Sequence, residues 1–108
     1  MTLHFGESGP LDETLKQYGI PQHMHGAITR YIVDGFPPGD FLEAVLCNDL
    51  KGAVERADAE NLAALAQWVK WLYGEVPYVC WGSVENVRKW IEGKNARRKY
   101  GQDFSSHD

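Results

Sequence analysis

From Leu11 to Ile91 the apolar residues recur at spacings of three and four and hardly anywhere alternate with polar ones. That period predicts helices rather than strands. Leu11, Leu15 and Tyr18 give one short helical face from Pro10 to Tyr18, ended by Gly19. Pro21 suits the first turn of a second helix, whose apolar positions are Met24, Ile28, Tyr31 and Ile32. Gly35 can take the left-handed cap conformation, and neither Pro37 nor Pro38 can donate to a continuing helix, so Gly35-Phe36-Pro37-Pro38-Gly39 is a rigid joint. Beyond it Asp40 reads as an N-cap, with Glu43 completing a capping box.

Phe41, Leu42, Val45 and Leu46 form a dense apolar face that can be followed through Leu50, Ala53, Val54 and Ala57. Residues 40–57 thus read as one helix or two. Asn48 and Asp49 compete for backbone hydrogen bonds and Gly52 weakens the helix by about 1 kcal/mol relative to alanine, which favours a break at Asn48. Asp58 caps the most regular helix, which runs to Tyr73 with Leu62, Leu65, Ala66, Val69, Leu72 and Tyr73 as its expected core stripe. Residues 74–82 form an apolar connector in which Tyr78 to Trp81 resembles a strand without a partner. Ser83 caps a last helix, Val84 to Glu92, that Gly93 stops. The expected fold is all-α: a compact domain of five or six short helices over residues 10–93, with an N-terminal arm (1–9) and a polar, disordered tail (94–108).

Composition narrows the class. With 44% hydrophobic and 24% charged residues, the chain belongs with soluble globular proteins rather than disordered ones. No apolar run reaches the roughly 20 residues of a membrane span, and the first ten residues show neither a basic region nor a hydrophobic signal core, so the expected location is the cytoplasm. Cys47 and Cys80 lie in apolar neighbourhoods and read as buried free thiols. Charge is uneven: residues 1–87 carry five basic and twelve acidic side chains, residues 88–108 six basic and three acidic. The acidic body repels nucleic-acid phosphates and leaves any such contact to the C-terminal end.

Candidate chemistry is sparse. His23 and His25 sit two apart and point to different sides of a helix, with no Cys-x-x-Cys or His-x-x-x-His spacing to complete a metal site. Cys47 has no adjacent basic residue to activate it, and the capping role of Ser83 already accounts for that residue. Neither phosphate-binding glycine pattern occurs. The expectation is therefore no enzyme, no cofactor and no metal. A small, nucleotide-like ligand could sit between helices against Arg30, Tyr31, Asn48, Asp49 and Trp81; the plainer account pairs Arg30 with Asp34 and gives Asn48 and Asp49 to a helix cap. The basic residues Arg88, Lys89, Arg97, Arg98 and Lys99, interleaved with Trp90 and Tyr100, could contact nucleic acid or an acidic protein, or simply be solvated.

The four tryptophans are the anomaly. Trp71 projects about 160° from the centre of the expected core stripe and Trp68 about 100°, at 100° per residue. Either this helix is sandwiched inside the domain, or Ala64, Trp68 and Trp71 form a surface for a protein partner, where tryptophan is enriched.

The series Ile20-Pro21-x-His23-Met24, Arg30-Tyr31-Ile32, Gly35-x-Pro37-Pro38-Gly39-x-Phe41-Leu42, Val45-Leu46-x-Asn48-Asp49-Leu50, Ala57-Asp58-x-x-Asn61, Trp68 to Tyr73 and Cys80-Trp81-Gly82-Ser83 resembles small proteins of tailed-phage genomes and bacterial prophage regions. The likeness covers about residues 20–91 and implies a viral or prophage origin, hence the host cytoplasm, without carrying over a catalytic residue. Together these readings lead to an accessory protein that binds a host or defence protein, or pairs with its own copy.

Overall fold

Glycines and proline set the corners of the chain. Gly19 and Gly35 take left-handed backbone angles (φ 75° and 74°) at the ends of the first two helices. At Gly35 the amide donates to the Tyr31 carbonyl four residues back, closing the second helix as a left-handed (αL) cap. A side chain there would also overlap Lys94. Asn48 is the one non-glycine residue with positive φ (64°) among those described, and it breaks the chain between two helices as its place in the sequence predicts.

The computed structural model describes residues 9–107, and in it the elements run α1 (Gly9–Gln17), a 3-10 turn (Gln22–Met24), α2 (His25–Asp34), α3 (Asp40–Leu46), α4 (Leu50–Arg56), α5 (Ala59–Ala63), α6 (Leu65–Glu75), a second 3-10 turn (Tyr78–Cys80) and α7 (Val84–His107). The fold is all-α, a single compact domain. No helix among the described residues is long and apolar enough to cross a membrane. The expected N-terminal arm (1–9) lies outside the described residues except for Gly9, which opens α1. Tyr78–Cys80 is a 3-10 turn, not a strand.

Side-chain caps stand where the sequence puts them at Asp58, which accepts from the Asn61 amide at 2.8 Å, and at Ser83, which accepts from the Asn86 amide at 3.1 Å. Asp49 does the same for α4 through Gly52 at 3.0 Å. Asp40 does not cap α3. The two prolines hold the chain extended up to Gly39 (φ −70°, ψ 176°), so Gly39 is the N-cap and Asp40 already the first helical residue. Gly93 does not stop α7 either: the helix continues to His107 in place of the expected disordered tail. Glu92, Lys94 and Ala96 around it are strong helix formers, which offsets the roughly 1 kcal/mol a glycine costs in a helix interior.

One apolar core joins all of this. Leu11, Leu15, Ile28, Tyr31, Ile32, Leu42, Leu46, Trp68, Trp71, Leu72 and Cys80 are its innermost side chains. Long-range hydrogen bonds tie the layers. Tyr31 Oη donates to the Cys80 carbonyl (2.6 Å) and Trp90 Nε1 to the Tyr31 carbonyl (3.1 Å), which locks α2 to both the connector and α7. The Gly82 amide donates to the Leu46 carbonyl at 2.7 Å and fixes the connector against the end of α3.

Candidate functional site

The stretch from Asp58 to Glu75, which carries the tryptophans expected at a surface, departs from expectation twice. It is two helices, turning at Ala64 (φ −100°, ψ 12°). It also faces the other way. Asn61, Ala64, Trp68, Trp71 and Leu72 point inward, and both indoles are fully buried. Trp71 Nε1 donates to Thr14 Oγ1 on α1 at 2.9 Å, and Trp68 Nε1 donates to Asn61 Oδ1 at 3.0 Å. Trp68 packs edge-on against Phe41 and Trp71 with centroids 6.0 and 6.2 Å away. Trp68, Trp71 and Ala64 are therefore core, and the expectation that they form a partner surface is corrected. An indole hides on the order of 200 Å² and needs one acceptor; Thr14 and Asn61 supply acceptors, so burying two tryptophans outweighs burying leucine, valine and tyrosine.

What that inversion leaves outside is most of the expected core stripe, with Leu72 buried and Leu65 half-buried. Leu62 and Val69 are each 48% exposed and Tyr73 73%, with Ala66 exposed between them. The row continues across the chain turn, because the Tyr73 ring meets Tyr78 edge-on at 6.2 Å and Tyr78, itself 55% exposed, stacks on Trp81 at 4.8 Å. Val79 is exposed beside it. Between residues 59 and 74 the charged side chains are Glu60 and Lys70 alone, so water meets a nearly uncharged strip. Depletion of charge with exposed tyrosines is the composition of an interface centre rather than of ordinary surface.

The set Arg30, Tyr31, Asn48, Asp49 and Trp81 does not form a ligand pocket. Tyr31 and Trp81 are buried with their polar atoms committed to the Cys80 and Val76 carbonyls. Arg30 is exposed along α2 beside Gly26, Asn48 is an exposed turn residue, and Asp49 caps α4. Open clefts occur elsewhere, where α3 meets α4 and α7. One of about 330 Å³ is lined by Asp40, Glu43, Cys47, Asp49, Arg56 and Val84. Its neighbour, about 310 Å³, shares Glu43, Cys47 and Val84 and adds Val87 and Ile91. Burial first, then the Glu43 and Asp49 carboxylates, push the Cys47 thiol above its ordinary pKa, so it stays protonated and is a poor nucleophile. Burial pushes Cys80 up to about 12.

The basic end is largely neutralised where it meets the body. Arg88 pairs with Glu92 at 3.5 Å and Lys89 with Glu85 at 3.2 Å, while Lys94 lies over the Trp90 ring at 4.8 Å. Arg97 is exposed; the side chains of Arg98 and Lys99 lie outside those described. His23 and His25 diverge as their spacing requires. His23 bridges Asp58 (3.0 Å) and Glu60 (3.4 Å), and His25 donates to the Ile20 carbonyl. Among the described residues no three His, Cys, Asp or Glu side chains group as metal ligands.

Compared with known proteins, the chain matches no family, no curated protein and no solved structure. The site stands on its own geometry. Sequence reasoning missed Leu62, Val69 and Tyr73 because it assigned them to the core, and Tyr78 because it read that residue as part of an apolar connector. The available signal was that residues 59–74 are apolar on both sides, so that one of the two faces had to be presented to solvent.

Proposed function

We propose that this chain is an accessory protein of phage or prophage type that acts by binding another protein, and that it docks through the strip Leu62, Ala66, Val69, Tyr73 and Tyr78. The supporting observation is the inverted α5–α6 segment, which leaves large apolar side chains in water while the tryptophans are satisfied inside. Contiguous exposed apolar surface of this kind marks an association site more often than idle surface. In a phage or prophage setting the expected target is a host or defence protein in the host cytoplasm. A binding role also fits the protonated Cys47, which is not disposed to attack a substrate.

Val69→Glu and Tyr73→Glu test the reading. Both positions are exposed, so each variant is expected to keep its unfolding free energy within about 0.5 kcal/mol, while a bound protein is lost. Undiminished binding by both variants, against a parent that binds, would overturn the proposed surface.

A second reading rests on the α3–α4–α7 clefts, whose volumes lie at the lower bound of small-ligand sites. Asp40, Glu43 and Asp49 repel phosphates there, so the nucleotide-like ligand gives way to one with a cationic group on an apolar body. Thermal shift against a panel of amines tests it, tight binding raising the melting temperature; a flat panel overturns it.

A further inference from the structure

The clefts of about 330 and 310 Å³ adjoin, because Glu43, Cys47 and Val84 line both. Helical spacing explains what they present. Asp40, Glu43 and Cys47 follow one another at three and four residues and form one row along α3, and Val84, Val87 and Ile91 do the same along α7. The two helices run antiparallel: the Gly82 amide ahead of α7 donates to the Leu46 carbonyl at the end of α3, and Lys94 of α7 lies against Gly35 ahead of α3. The wall on α7 is therefore apolar, while the row facing it carries carboxylates.

The charges of the lining do not cancel. Arg88 is paired with Glu92 at 3.5 Å. Arg56 and Asp49 lie together over Gly52, where a Cβ would overlap both side chains. Asp40 and Glu43 remain, and among the described residues neither has a basic side chain in ion-pair contact. Glu43 stands where the two clefts meet, so a cation there faces carboxylate on α3 while its apolar part lies against α7. The kind of cation follows from what lines the site. No aromatic ring lines either cleft among the described residues, and a quaternary ammonium needs aromatic faces. A primary ammonium has three N–H groups to donate, and carboxylates accept them in charge-assisted bonds. Volumes near 300 Å³ suit a small molecule rather than a folded segment.

We propose that the clefts bind a primary alkylammonium ion, with its nitrogen at Glu43 beside Asp40 and its hydrocarbon chain along Val84, Val87 and Ile91. This rests on the reading of the clefts as a small-ligand site, and it makes Glu43 the residue that selects charge.

An amide-resolved NMR titration of the full chain with hexylamine, hexanol and hexanoate at neutral pH and low salt tests it, because the three share a chain and differ in the charge of one end. Hexylamine should shift amides of α3 and of residues 84–91, and should bind at least about fivefold more tightly than hexanol, with hexanoate the weakest. Glu43→Gln, at an exposed position, should remove that advantage and leave hexanol binding as it was. Val84 is 67% exposed, so Val84→Arg keeps the fold and should weaken hexylamine by setting a second cation where the clefts meet. Equal binding of the three probes, or hexylamine binding indifferent to either variant, overturns the alkylammonium assignment and leaves a ligand site in the clefts standing. Shifts confined to other helices, or none with any probe, overturn both.

Discussion

At the scale of single residues, the position of Trp71 depends on one hydroxyl. Its indole nitrogen is buried beyond the reach of water and has Thr14 Oγ1 as acceptor. Thr14→Val keeps the shape and removes that acceptor, so urea unfolding is expected to show a loss of about 1–3 kcal/mol. Trp71→Ala opens a cavity as well and should lose about 3–5 kcal/mol. An interface tryptophan would show neither loss in the monomer. The thiols give a second check. Only the thiolate reacts, and burial holds both cysteines above their ordinary pKa, with the Glu43 carboxylate adding to the effect at Cys47. A disulfide-exchange reagent at mildly alkaline pH should therefore label the half-buried Cys47 slowly and Cys80 only on unfolding; rapid labelling of both would contradict the packing.

At the scale of elements, Asp58 joins a cap to a crosslink. Its carboxyl is held below the usual aspartate range chiefly by the Asn61 amide; desolvation, the next effect, opposes this, and the His23 imidazole adds to the lowering. A depressed carboxyl contributes stability that is present above the unfolded value, near pH 3.9, and is lost as pH falls through the folded one. The melting temperature should thus fall more steeply below about pH 4 in the parent chain than in Asp58→Asn, and parallel curves would remove Asp58 from the acid response. The stops at Gly19, Gly35 and Asn48 and the caps at Asp58 and Ser83 were legible in the sequence because each depends on local chemistry. Asp40 misled because the prolines before it, rather than its own side chain, choose the first helical residue. The orientation of α5–α6 was illegible for a physical reason: both of its faces are apolar, and Thr14 and Asn61, the acceptors that settle which one is buried, do not register in a hydrophobic pattern.

At the scale of the molecule, α7 is the long strut. Its 24 residues span about 36 Å at 1.5 Å per residue, more than either short dimension of a body measuring 50 × 27 × 22 Å, so it lies along the long axis. Its middle is part of the domain: Lys94 covers Trp90 and fills the space above Gly35. Ending the chain at Gly93 should therefore lower stability by about 1 kcal/mol or more, whereas ending it after Arg97 should leave urea unfolding nearly unchanged. Equal stabilities would mean that the domain ends where the glycine suggests. The candidate docking strip was visible as an apolar series but assigned to the interior, so the sequence located the right residues and reversed their role.

The hydrogen bonds that cross the core join positions far apart in the chain: Thr14 to Trp71, Tyr18 to Glu75, Tyr31 to Cys80 and Tyr31 to Trp90. Each needs its second member from residue 71 or beyond. During synthesis, at about 5–20 residues per second, the first sixty residues emerge from the ribosome before any of these links can close. The nascent chain must wait for α6 with its apolar faces uncovered, so a product interrupted before Trp71 lacks all four links and is expected to become a target for chaperones or proteases.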